Sequence, residues 1–66
     1  MPVINITLSA ISKEQKADLI KSVTEASMRV TGAPEQAHTV LIRELPDDSM
    51  GLGTKTVEQF KKDMHK

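Results

Sequence analysis

Ser12-Lys13-Glu14-Gln15-Lys16-Ala17-Asp18-Leu19-Ile20-Lys21-Ser22-Val23-Thr24-Glu25-Ala26-Ser27-Met28-Arg29-Val30-Thr31-Gly32 carries both ends of one helix. Ser12 and Gln15 have the spacing of a capping box, in which the hydroxyl accepts from the Gln15 N–H and the Gln15 side chain reaches back. Gly32 stops the helix with a left-handed residue, and Pro34 prevents its resumption. In between, Leu19, Ile20, Val23, Ala26, Ser27 and Val30 recur at three- and four-residue steps, which predicts a single apolar stripe.

A strand pattern lies on either side. Val3-Ile4-Asn5-Ile6-Thr7-Leu8 alternates, with Ile4, Ile6 and Leu8 on one face and Val3, Asn5 and Thr7 on the other. Thr39-Val40-Leu41-Ile42-Arg43-Glu44-Leu45 reads as a second strand. His38, Val40, Ile42 and Glu44 share one parity; Thr39, Leu41, Arg43 and Leu45 share the other. Two strands joined by a helix of about five turns form a parallel pair with a right-handed crossover. Pro46-Asp47-Asp48-Ser49 is a turn cluster. Met50-Gly51-Leu52-Gly53 predicts a short hairpin or bulge, its glycines serving backbone geometry. Thr54 to Lys66 has weak helical periodicity through Val57, Phe60 and Met64, and Lys61-Lys62 is expected to be a solvated charge pair. The fold class is α/β (α+β): one β-α-β domain over residues 1–66 with a short C-terminal hairpin. Two strands are too little sheet to stand alone, so a homo-oligomer, a dimer at minimum, is expected to complete it.

Composition narrows the functions. A chain of 66 residues buries only about 60% of its unfolded surface, which again favours partner subunits. It has no cysteine and two histidines, and His38 and His65 lie in no metal-ligand spacing, so no metal is expected. A net charge of zero argues against a nucleic-acid footprint. The apolar runs are far short of a membrane span, and a cytoplasmic protein is the default.

Pro2 is the sharpest chemical feature. A small second residue lets the initiator methionine be cleaved, and Pro2 then presents a free secondary amine, a base or nucleophile at the end of a rigid element. The plainer alternative is a proline that only begins a strand, where a missing N–H costs little.

Taken in order, several pieces resemble the 4-oxalocrotonate tautomerase family of small subunits. They are Met1-Pro2 before an alternating strand, Glu14-Gln15-Lys16, Leu19 to Ala26, Gly32-Ala33-Pro34, and Val40 to Leu45 with Met50 to Gly53 after it. The resemblance implies a β-α-β protomer, pairing into a four-stranded sheet and assembly up to a hexamer. It also implies a cofactor-independent isomerase, with Pro2 as general base in a keto–enol or 1,3-allylic isomerisation of a small 2-oxo or enol acid. A base works best with a pKa near the working pH, and apolar walls with a nearby cation lower an amine's value.

The chain departs from that family's pattern around the proline. No arginine stands near Ala10-Ile11-Ser12, the family's strand arginine is matched by Thr39, and its hairpin aromatic by Met50. Arg43 has the parity of Thr39 and a planar fork suited to a carboxylate; a structural ion pair is its other reading. Met50 can form a flexible apolar wall or pack at a subunit contact. Lys13 is expected to be solvated, and His38 to be a surface or interface residue rather than a proton carrier. The substrate-binding candidates are therefore Arg43, Met50 and Thr39, and a monoanionic substrate is expected. Two other functions fit the same fold: a non-catalytic oligomeric interaction module, and a hydratase- or dehalogenase-like enzyme. The latter needs a water-activating carboxylate, and Glu44 has the wrong parity to share a pocket with Arg43.

Overall fold

The computed structural model describes residues 1–64. Strand β1 (Val3–Leu8) leads into helix α1 (Lys13–Thr31), a single 3-10 turn (Glu35–Ala37) and strand β2 (Thr39–Glu44). The chain then makes a second 3-10 turn (Asp47–Ser49), strands β3 (Gly51–Leu52) and β4 (Lys55–Thr56), and helix α2 (Val57–Met64). His65 and Lys66, the end of the predicted C-terminal helix, lie outside the described residues.

The helix signals work as their chemistry requires. Gln15 N donates to Ser12 Oγ at 3.0 Å, and Ser12 N donates to Gln15 Oε1 at 2.9 Å. Gly32 adopts φ 75° and its N–H donates to the Met28 carbonyl, a conformation that costs an L side chain about 1–2 kcal/mol. At α2 the cap is Thr56, whose Oγ1 accepts from Gln59 N at 3.0 Å. The hairpin turns at Gly53, with φ 63°.

β1 and β2 are parallel, in register from Val3 opposite Thr39 to Leu8 opposite Glu44. The ladder continues at both ends: Thr39 N donates to Pro2 O at 3.0 Å and Leu45 N to Leu8 O at 2.9 Å. Ile4, Ile6, Leu8, Val40 and Ile42 are half-buried, while Val3, Asn5, Thr7, Thr39, Leu41 and Arg43 form an open face. The apolar stripe of α1 is only partly used. Leu19, Val23, Ala26 and Ser27 are half-buried, but Ile20 is 41% and Val30 78% exposed. Two strands about 5 Å apart are narrower than the stripe they would have to cover.

Among the described residues no side chain is fully buried. The chain presents 5175 Å² to solvent, where a compact monomer of this length presents about 4,200 Å². Its radius of gyration is 15.3 Å, against about 11 Å for a compact chain. Much of that extension is the C-terminal arm, which folds mainly on itself. Val57 N donates to Met50 O at 2.7 Å, and Lys55 pairs with Asp63 at 2.8 Å. Lys61 is exposed, as expected, and also pairs with Asp47 at 2.8 Å, because the turn at Asp47–Ser49 brings that carboxylate under α2.

Two carboxylates at the C-terminal edge of the sheet fasten the strands to the helices. Glu44 accepts from Ile11 N at 3.0 Å and pairs with Lys16 at 2.6 Å. Asp47 accepts from Ser9 Oγ at 2.6 Å and from Lys61. The Lys16 hydrogen bond, then that of Ile11, holds the Glu44 carboxyl below its ordinary range; Lys61, then Ser9, does the same for Asp47. A depressed carboxylate stabilises the fold above the ordinary carboxylate range, and the contribution is lost as pH falls through the folded-state value. The thermal midpoint should therefore drop below about pH 4. Glu44→Gln should lower the midpoint modestly at pH 7 and make its acid fall shallower, as melting curves between neutral pH and pH 3 would show. Identical acid limbs for the two proteins would contradict this assignment.

Candidate active site

β1 places Pro2 at the mouth of the ladder, one residue before its first pair. Pro2 is half-buried, and its carbonyl accepts the Thr39 N–H at 3.0 Å. Met1 in front of it is 93% exposed and so open to an aminopeptidase. While Met1 remains, the Pro2 nitrogen is an amide and has no basic lone pair. Once Met1 is removed, the same atom is a secondary amine on a residue whose carbonyl side is already fixed by β2.

Thr39 is the one other candidate that the protomer brings to this end of the sheet, directly opposite Val3. Arg43 shares its exposed face but stands opposite Thr7, four strand residues away, or about 13 Å at ~3.3 Å per residue. Met50 is farther still, half-buried beyond the turn at the end of β2. Lys13, exposed at the start of α1, also belongs to that far end. The reason is topological. In a parallel pair both N-terminal ends share one edge of the sheet, and both C-terminal ends share the opposite edge. Within one subunit Pro2 and Thr39 therefore meet, while Arg43 and Met50 do not reach them.

Glu44 faces away from Arg43 and is fully engaged by Lys16 and Ile11 N. It is not free to activate water beside Pro2. The sole aromatic residue, Phe60, lies on α2 and is partly exposed. A cleft of about 360 Å³ runs between α1 and the turn before β2, lined by Ala17, Ile20, Lys21, Thr24, Glu25, Glu35 and His38. Pro2 does not line it, so this concavity of the lone subunit is separate from the amine.

One contact was not legible in the sequence. His38 Nε2 lies 2.7 Å from Ser27 Oγ, and its Nδ1 lies 2.9 Å from the Pro34 carbonyl oxygen. The parity of His38 with Val40 points it toward α1, and Ser27 occupies a stripe position. Those two facts were the available signal, but pairing them required the rotation of the helix over the sheet.

Comparison with known proteins bears on the fold and the chemistry together. The sequence model of the family described as "Tautomerase enzyme" matches residues 2–59. A probable tautomerase from Streptococcus pneumoniae is 46% identical over 48 residues, covering 71% of this chain and 80% of the relative. A 2-hydroxymuconate tautomerase from Pseudomonas fluorescens is 39% identical over 54 residues, 80% of this chain and 86% of the relative. The crystal structure of TomN, a 4-oxalocrotonate tautomerase homologue of the tomaymycin biosynthetic pathway, superposes with a TM-score of 0.89. It is 27% identical and covers 92% of this chain and 95% of that one. This β-α-β chain with proline at position 2, matched over nearly its whole length, belongs to the tautomerase family of isomerases.

Proposed function

We propose that the chain, after loss of Met1, uses the Pro2 amine as general base in a cofactor-independent keto–enol or 1,3-allylic tautomerisation of a small 2-oxo or enol acid. The observation that carries this is the position of Pro2: half-buried, its carbonyl held by Thr39 N–H at 3.0 Å, its nitrogen blocked only by an exposed Met1. The amine takes a proton from carbon next to the carbonyl, leaving an enolate, and returns it to the enolate oxygen in keto–enol exchange or to the far carbon of the conjugated system in a 1,3-allylic shift. Proton and charge balance without a co-reactant.

The enolate and the carboxylate need a cation, and Arg43 is the candidate. Since Arg43 cannot reach Pro2 in its own subunit, the site is shared. The lack of any fully buried side chain among the described residues and the excess surface support a homo-oligomer, with the dimer as its unit. A second copy running antiparallel to the first sets its far end, with Arg43 of the partner subunit and Met50 of the partner subunit, against Pro2. Thr39, matched to a family arginine, supplies no charge, so one carboxylate rather than two is the better fit. A cytoplasmic setting belongs to the same reading. The hydratase-like reaction is not favoured, because Glu44 is engaged elsewhere, and neither is a purely structural role. Turnover of an enolisable monocarboxylic 2-oxo acid by the processed protein tests the proposal, and it should exceed turnover of 2-hydroxymuconate. A preference for the dicarboxylate would overturn the assignment of substrate charge.

A further inference from the structure

The segment between α1 and β2 is fastened by a histidine. A carbonyl oxygen only accepts, so His38 Nδ1 donates to Pro34 O at 2.9 Å. In the neutral ring Nε2 is then the acceptor, and Ser27 Oγ donates to it at 2.7 Å. Around this ring the backbone is also tied. Ala37 N donates to Pro34 O at 3.0 Å and His38 N to Glu35 O at 3.2 Å. The next residue, Thr39, donates its N–H to the Pro2 carbonyl at 3.0 Å. A continuous path thus runs from α1 through the imidazole and one peptide to Pro2.

We propose that His38, held by Ser27 and Pro34, is a positioning residue for Pro2. It fixes the entry of β2 against α1 and, through Thr39, the direction in which the Pro2 carbonyl and ring nitrogen point. The inference rests on the reading of Pro2 as base, but its geometric part can be measured without turnover. Such a link matters here because Pro2 lies at the end of the ladder. End pairs open most easily, and apolar contact alone has no direction to oppose sliding of β2 along the helix. A misplacement of about 1 Å can cost a reaction about 100-fold. Lys21, Glu25 and Glu35 flank His38 in the neighbouring cleft, and substitutions at Ser27 and His38 leave those three side chains in place.

The test uses processed protein labelled with 15N-proline. The chain has three prolines, and Pro2 is the one whose nitrogen titrates as an amine. His38→Ala should displace the Pro2 amine titration from that of wild type, because loosening the entry of β2 changes how much water reaches the amine. It should also lower kcat about tenfold or more with KM within about twofold. His38→Asn, whose side-chain nitrogen takes the place of Nδ1 and keeps a donor for Pro34 but loses the acceptor for Ser27, should restore only part of both. The double variant Ser27→Val, His38→Val removes both polar partners and leaves Pro34 O accepting from Ala37 N, so no polar group is left unpaired. It should retain the wild-type melting temperature while keeping the losses in kcat. If His38→Ala and the double variant show the wild-type Pro2 titration, kcat and KM, the link is structural only and the inference is overturned. If Pro2→Ala turns over as fast as wild type while His38→Ala still displaces the Pro2 titration, the positioning stands and the role of Pro2 as base falls.

Discussion

Pro2→Ala should lower kcat by about 10²- to 10⁴-fold, the usual contribution of a positioned general base, with little change in KM. Alanine at the same place still has an α-amino group after processing, so a basic nitrogen survives. It lacks the ring, however, and with it the fixed direction of the lone pair at the end of β1. A primary amine also rotates and hydrates more freely, so it spends less time in the geometry that proton transfer requires. Binding of the substrate carboxylate depends on a different group, so KM should hold. Steady-state kinetics of both processed proteins on one enolisable 2-oxo acid would decide this. Equal kcat values would remove Pro2 from the chemistry, and a large rise in KM with kcat intact would make it a binding residue instead.

Arg43→Ala should raise KM and lower kcat/KM by about 10- to 150-fold, the equivalent of 1.5–3 kcal/mol for hydrogen bonds to a charged group. Arg43→Lys should recover only part of this, because an ammonium cannot reproduce the planar two-pronged contact. The register adds a sharper consequence. Arg43 is opposite Thr7, at the far edge of the sheet from Pro2, so the two residues act in one site only across a subunit boundary. Oligomers reassembled from a mixture of Pro2→Ala and Arg43→Ala subunits should then regain activity that neither variant has alone. Some of their sites combine an intact proline from one chain with an intact arginine from another. Mixed oligomers no more active than the average of the two variants would mean that Arg43 serves elsewhere.

Local signals carried most of the fold. The capping box at Ser12 and Gln15 and the left-handed Gly32 mark the ends of α1. Alternation after the first pair marks β1, and the parity of Val40 and Ile42 marks β2. Each depends on residues within a turn or two of one another, and so can be read from a single strand of text. β2 ends one residue earlier than its pattern, at Glu44, although Leu45 still donates to the ladder. What local pattern does not specify depends on packing between segments distant in sequence. Lys61 finds Asp47, His38 finds Ser27, and Val30 finds no cover, because packing and register decide those outcomes.

The site divides in the same way. Pro2 stands out in the sequence by its position after Met1, and the parallel pairing makes Thr39 its ladder neighbour. The distance of Arg43 was not legible from parity. Parity gives the face of a sheet, whereas the site depends on position along the strand. Four residues along β2 separate Thr39, beside Pro2, from Arg43 at the far end of the strand.

The central claim is that the free nitrogen of Pro2 does the chemistry. Two preparations of one sequence separate that nitrogen from every other feature of the fold: chain with Met1 retained, and the same chain treated with methionine aminopeptidase. Their masses differ by one methionine residue, and their tautomerase activity can be followed as conversion proceeds. Activity should rise from near zero in proportion to the fraction of chains that begin at Pro2. Equal turnover by the Met1-bearing chain, whose Pro2 nitrogen is an amide, would contradict the account.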